Sequence, residues 1–213
     1  MKKNRKITDI QVKHNNHKRR NIHIDHQLFI EIDDIIVSEL DLYIGKEVTD
    51  DLIYSIKQKE ELTKAKNDSI RFLSYRPRSE WEIKNKLQDK KYQSEIIEKT
   101  IRWLKEKNMV NDQEFSRMWI KDRLTKKPLG KLSLQKELIN KGISRELIEN
   151  TIHSFFEKEE DELELAYQLI RQKKDSLQLK NIQLEPKKII NLLKNRGFSY
   201  RVIDHIYEEL LTR

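Results

Sequence analysis

The sequence predicts a mainly α protein, an elongated, curved array of three tandem three-helix repeats preceded by a small N-terminal β-hairpin or meander and helices. Three observations carry that prediction. Charged residues make up 38% of the 213 and apolar residues 36%, with only four Gly and three Pro, a balance that suits solvated helices better than packed sheets. Helix start and stop signals recur along the chain. The stretch from Arg78 to Leu104 returns twice, with Leu87, Leu138 and Leu193 standing 51 and 55 residues apart.

In that register Ile83 matches Leu134 and Ile189, Tyr92 matches Ile143 and Phe198, and Ile96 matches Leu147 and Val202. Ile97 matches Ile148 and Ile203, Ile101 matches Ile152 and Tyr207, and Leu104 matches Phe155 and Leu210. Apolar places repeat while the charges between them drift. A packing unit behaves this way, because neighbours dictate only its buried face.

Taken in order, residues 7–32 read as short β-branched runs, ITDIQVK, RRNIHID and LFIEI, separated by polar turn residues such as Asn15 and Asn16, hence a hairpin or three-stranded meander. The pairs His14/His17 and His23/His26 echo metal-ligand spacing. Strand alternation, which sends His23 and Asp25 to one face, is the cheaper reading, and no metal site is assigned. Ile35, Ile36 and Leu40 suit a short helix from Asp33 to Leu42 that stops before Gly45. Thr49 before Asp50 and Asp51 is a helix start; capping explains the acidic pairs Asp33/Asp34 and Asp50/Asp51 better than a nuclease site does. The charged run KQKEELTKAKND reads as a solvated helix leading into the repeats.

The first repeat carries a capping box, Ser79 with Glu82, just after Pro77. Its second helix ends at Lys90 and Lys91, and Ser94 or Glu95 starts the third. Asn111 with Glu114 opens the second repeat; Pro128 and Gly130 interrupt it, and Gly142 ends its middle helix. Glu159 to Arg171 leads the third, residues 172–185 connect, Pro186 fits a first helical turn, and Gly197 ends that helix. The predicted divisions are 1–48 for the N-terminal region, 49–64 for a helical linker, and 65–109, 110–158 and 159–213 for the repeats. Trp81, Trp103 and Trp119 are expected in the core.

Residues 1–22 hold eight Lys and Arg against Asp9 alone, which is +7 of the net +8. A basic arm is therefore expected to reach phosphates or an acidic surface, while the repeats are balanced. No run of about 18 apolar residues suggests a membrane span, and MKKNRK leads into no apolar signal segment. Absence of Cys fits a reducing compartment, so a cytoplasmic chain is expected. There is no Gly-rich phosphate loop, no H-E-x-x-H and no Ser/His/Asp grouping. The reading is therefore not an enzyme, with no catalytic residue, no metal and no cofactor.

Four segments in order, LSYRPRSEWEIKNKL (73–87), VNDQEFSRMWIKDRL (110–124), LGKLSLQKELINKGI (129–143) and LLKNRGFSYRVI (192–203), resemble the RecX family of regulatory proteins over about residues 65–211. Asn111, Ser116, Ile83 and the pair Pro128–Leu129 depart from the family's usual residues. The resemblance implies an all-helical modulator of the RecA recombinase in homologous recombination, DNA repair and the SOS response. Such a protein binds the RecA–DNA filament and most often inhibits its ATPase, extension and strand exchange. Implied candidates for contacting RecA or DNA are Arg76, Arg78, Lys90, Lys91, Arg123, Lys126, Lys127, Lys131, Lys141, Arg145, Arg196 and Arg201; the plainer reading of each is a solvating side chain. A monomer with no membrane partner is expected. The alternative is a DNA-binding protein acting independently of RecA through three-helix modules and the basic arm.

Overall fold

The computed structural model describes residues 5–178 and 185–212, so Lys2, Lys3 and part of the expected 172–185 connection lie outside the described residues. The chain divides into two compact units, one of residues 1–76 and 83–109, the other of residues 77–82 and 110–213.

The first unit opens with a three-stranded antiparallel meander, β1 (Ile7–Lys13), β2 (Asn16–Ile24) and β3 (Gln27–Asp33), in the order β1-β2-β3. Ile22 lies opposite Ile10 and Ile30. Ile7, Ile22 and Ile32 are buried with Ile36, Leu42, Val48 and Ile56 in one apolar cluster. Asp25 and His26 both have positive φ between the paired Ile24 and Gln27, the two-residue turn that matches strand twist. Asp25 is therefore a turn residue, and the expectation that it shares a strand face with His23 fails because β2 ends at Ile24.

Helix α1 (Asp34–Glu39) is capped by Asp33, whose side chain accepts from the Ile35 N–H. It is shorter than the expected span to Leu42, since Asp41 turns the chain with φ 48°. Helix α2 (Asp50–Leu73) starts at Thr49, whose hydroxyl accepts from the Leu52 N–H. It runs unbroken through the charged tract, so no bend separates residues 49–64 from those that follow. Helices α3 (Glu80–Asp89) and α4 (Ser94–Glu106) come next, and α4 packs on α2.

Among the described residues, four cations of the basic N-terminal stretch are held by acids. Arg5 pairs with Asp50, Lys13 with Glu31 at 2.7 Å, and Arg20 with Asp34 at 2.9 Å. Arg19 donates to Glu31 at 2.9 Å and to both oxygens of Glu60 at 2.6 and 3.2 Å. Glu60 also accepts from the Asp33 N–H at 3.0 Å, and its side chain is only 3% exposed. Burial alone would lower the Arg19 guanidinium, but the hydrogen bonds to Glu60 and Glu31 hold it above its ordinary value. A residue in the middle of a charged run thus fastens the sheet to α2.

In the second unit, α5 (Asp112–Lys126), α6 (Lys131–Ile139) and α7 (Arg145–Phe155) enclose Phe115, Ile120, Leu134, Leu138, Ile143, Ile148, Ile152 and Phe156. Helices α8 (Glu159–Gln178), α9 (Pro186–Asn195) and α10 (Tyr200–Leu211) enclose Ala166, Leu169, Ile170, Ile189, Leu193, Phe198, Val202, Ile203 and Ile206. Helix α8 continues seven residues beyond the expected Arg171.

One turn recurs in all three repeats. The N–H groups of Tyr92, Ile143 and Phe198 donate back to the carbonyls of Leu87, Leu138 and Leu193 at 3.1–3.2 Å. The residue between adopts a left-handed conformation, with φ of 63° at Lys91, 73° at Gly142 and 70° at Gly197. This double-bonded helix stop satisfies carbonyls that would otherwise be orphaned. Its apolar follower joins the cluster of the same leucine in the second and third repeats. Tyr92 departs from the expected burial: it is half-buried because its hydroxyl donates to Asp68 at 2.8 Å.

A second feature repeats beside it. The Ser79 hydroxyl donates to the Lys141 carbonyl at 2.7 Å, and the equivalent Gly130 N–H donates to the Arg196 carbonyl at 3.0 Å. The next N–H, of Glu80 or Lys131, is accepted by Asp112 at 2.8 Å or Glu162 at 3.0 Å. The start of a middle helix therefore docks on the left-handed turn of the following repeat. A Cβ on Gly142 would lie 2.2 Å from the Trp81 Cβ, and one on Gly130 would lie 2.2 Å from the Gly197 carbonyl oxygen. Ser79 and Glu82 form the expected reciprocal cap, at 3.2 and 3.3 Å.

Other expectations change. Trp81 is 46% exposed, because its inner side is spent on the Gly142 turn. Trp103 and Trp119 are half-buried, each with a cation over its ring. Tyr207 is 48% exposed and Ile206 is buried in its stead, while Phe156 is buried where Phe155 was expected. The position of Ile206 corresponds to Thr100 and Thr151, which are also buried, each hydroxyl donating to the carbonyl four residues back at 2.7 Å.

Substitutions at four positions test this packing by urea unfolding. Arg19→Met leaves Glu60 buried without its guanidinium and is expected to cost about 3 kcal/mol or more, most of it regained in Arg19→Met/Glu60→Leu; a loss under about 1 kcal/mol would contradict the coupling. Lys91→Gly relieves the left-handed strain and is expected to stabilise by about 0.5–1 kcal/mol, whereas Gly142→Ala destabilises.

Candidate partner interface

The candidate basic residues fall into three groups once their surroundings are known. The first is held by acids of the same unit. Arg123 Nε donates to Glu137 Oε2 at 2.7 Å, and the same oxygen accepts from the Trp119 indole at 2.8 Å. The Arg123 guanidinium lies 5.1 Å from the Trp119 ring centroid and Lys141 Nζ lies 4.8 Å from it. Lys141 also donates to Glu82 at 2.9 Å. Phe115 stacks on Trp119 with centroids 5.8 Å apart. Cation–π and ion-pair contacts together fix both cations, so a partner would have to compete for them.

Lys131 and Lys90 belong to the same group. Lys131 Nζ stands 5.3 Å from the Phe156 ring centroid and 3.9 Å from Glu162. Glu162 is buried and accepts from the N–H groups of Lys131 and Ser199 at 3.0 and 3.1 Å, which gives two helix starts one carboxylate. Lys90 pairs with Asp68 at 2.7 Å in the first unit. Burial would raise the Asp68 carboxyl, yet the hydrogen bonds from Lys90 and Tyr92 hold it below its usual value. Burial and the neighbouring Asp68 in turn push the Tyr92 phenol up.

The second group sits at turns and corners of the backbone. Lys91 occupies the left-handed turn. The Arg196 carbonyl accepts the Gly130 N–H, and Arg76 and Arg78 are half-buried at the Pro77 corner. The third group is exposed. Lys126 pairs only with Asp122, one helical turn away on the open face of α5. Lys127 and Arg145 are exposed and have no carboxylate partner among the described residues. Arg201 lines a cleft of about 410 Å³ with Lys131, Glu162, Ser199 and His205. The structure thus brings Arg123 and Lys141 to one indole and Lys131 and Arg201 to one cleft, and leaves Arg76, Lys90 and Lys91 in the first unit.

Residue types alone concealed the acids that set this division. Glu82, Glu137 and Glu162 look like solvated charges, and only their positions opposite helix starts and tryptophans reveal their work. The helix-starting role of Glu82 was visible in the capping box; the reach to Lys141, 59 residues away, was not.

Comparison with known proteins places the pieces. Residues 65–104 match the family model described as "RecX, first three-helix domain" and residues 111–152 match "RecX, second three-helix domain". The chain is similar to "Regulatory protein RecX" of Listeria monocytogenes serovar 1/2a, 30% identical over 194 residues, covering 91% of this chain and 71% of that one. It is 27% identical to the protein of that name from Clostridium perfringens, over 96% of each. With the Listeria welshimeri protein the identity is 33% over 161 residues; there the match spans 76% of this chain and 59% of the relative's length. A crystal structure of regulatory protein RecX superposes with a TM-score of 0.76 at 23% identity, covering 96% of this chain and 99% of that one. That of RecX from Lactobacillus salivarius gives 0.62 at 22%, covering 73% and 99%. At that identity the likeness speaks for the fold.

Proposed function

The chain belongs to the RecX family, and from that premise we propose that it is a non-enzymatic, monomeric regulator that binds the RecA–DNA filament in the cytoplasm and restrains RecA's ATP hydrolysis, filament extension and strand exchange. The similarity to regulatory proteins along nearly the whole chain carries this reading. The fold supports it in two ways. Successive repeats are built to one plan and joined by one type of junction, so like surfaces can meet successive like subunits, and several modest contacts add by avidity. Arg123, Lys131 and Lys141 are each held beside an acid of the chain, so the repeats present mixed charge, which suits a protein surface better than bare phosphates. No helix among the described residues is long and apolar enough to cross a membrane.

We assign residues 65–109, 110–158 and 159–213 as the binding units, and narrow the contact set. Lys127 and Arg145 have no carboxylate partner among the described residues and can approach a partner, and Lys126 is held only by an exposed pair within its own helix. Arg123, Lys131 and Lys141 shape the surface, because recruiting them would strand Glu137, Glu162 or Glu82.

The test is RecA's single-strand-dependent ATPase and strand exchange with stoichiometric purified chain. Inhibition is expected, and Lys127→Glu/Arg145→Glu is expected to weaken it by about tenfold in the concentration required while leaving the unfolding midpoint unchanged. Unaltered ATPase and strand exchange with the wild-type chain would refute the proposal.

A further inference from the structure

Within the first unit, the last described pairing of β3 with β2 is Asp33 opposite Arg19, while β1 continues with Val12 opposite Arg20 and Lys13 opposite Asn16. Val12 is still level with the third strand, since Arg20 also pairs with Ile32, and residues 13–18, closed by the single pair Lys13–Asn16, form a short hairpin end beyond it. Its loop, His14–Asn15, and the residues Asn16, His17 and Lys18 are exposed. No acid occurs between Asp9 and Asp25 in the sequence. The acids that neutralise this part of the chain, Glu31, Glu60 and Asp34, take Lys13, Arg19 and Arg20, and among the described residues none pairs with Lys18. The tip therefore presents an ammonium, two imidazoles and two amides, with no carboxylate paired to Lys18 among the described residues, Glu31 being taken by Lys13 and Arg19.

The hairpin end is also stiffened. Asn16 Oδ1 accepts from the Lys18 N–H at 3.1 Å, and Arg20 donates to the His17 carbonyl at 2.6 Å. Little ordering is left to be lost on binding. An exposed hairpin end of this kind can approach the major groove of duplex nucleic acid, where Lys meets phosphate and Asn and His can donate to base edges.

We propose that the β1–β2 tip is a nucleic-acid contact, with Lys18 on a phosphate and Asn15, Asn16 and His17 toward the groove. The site lies outside the helical repeats and does not depend on the proposed RecA activity. It is a small, directional element that concentrates binding at one lysine.

The full chain, without RecA, is titrated into a short fluorescent duplex at several salt concentrations. Wild-type protein is expected to bind with a salt-dependent affinity. Lys18→Ala is expected to make the slope of log affinity against log salt shallower by about one, while Lys173→Ala, at an exposed lysine of α8, leaves it unchanged. Absence of duplex binding, or equal slopes for both variants and wild type, would overturn the proposal. Displacement by polyglutamate as effective as by unlabelled duplex would also overturn it, in favour of an acidic protein surface. A chain that inhibits RecA yet fails here keeps its proposed function and loses only this site.

Discussion

The rest of the structure depends on how the middle helix of each repeat ends. A helix that stops leaves carbonyls without partners, and burying them costs free energy comparable to lost hydrogen bonds. Here the cost is met the same way three times, by an N–H three or four residues past the helix donating to the carbonyl of Leu87, Leu138 or Leu193. The left-handed residue between reverses the chain, so the third helix folds back onto the first. In the second and third repeats the apolar residue after the turn falls into the same cluster as the leucine. The turn also exposes a carbonyl and a surface free of Cβ at Gly142 and Gly197, and there the preceding repeat's middle helix begins. One local solution thus sets the fold of a repeat and the way it meets the next.

Much of this was written plainly in the sequence. The three leucines announced themselves by spacing, Ser79 and Glu82 by a capping pattern, and Gly142 and Gly197 as helix stops. Lys91 was legible only through its register with those glycines, because nothing in a lysine signals a left-handed turn. Glu60 was hidden for the opposite reason: surrounded by charges in sequence, it reads as solvated, and only the opposing Arg19 explains its burial. The tryptophans misled because periodicity counts a ring's apolar area without its placement. Trp81 stands at a helix start over a glycine, and Trp119 needs acids and cations at its edge and faces. Tyr207 failed by one position, since Ile206 follows the buried register of Thr100 and Thr151. Those threonines were overlooked because a hydroxyl that bonds its own helix can be buried without another partner.

Charge had the largest effect on the functional reading. Taken as composition, the N-terminal excess looked like a phosphate-binding tail. Among the described residues, Arg5 and Arg19 fasten to α2, Lys13 and Arg20 pair with Glu31 and Asp34, and Lys18 is left at a hairpin end. The candidate cations of the repeats divide in a similar way: the most conspicuous, Arg123 and Lys141, are committed to an indole and two carboxylates, while the plainer Lys127 and Arg145 stay available. The candidate interface was therefore legible as a list of basic residues but not as a surface, since the acids that withdraw some of them are distant in sequence.

Native-state hydrogen exchange at the amides of Tyr92, Ile143 and Phe198 tests the central claim most directly. If the repeated turn holds each unit together, these three amides, although placed beyond the ends of their helices, exchange as slowly as the buried helical amides of the same repeat and only when that repeat opens. Exchange at the rate of exposed loop amides would mean that the turn is a consequence of the packing and not its basis.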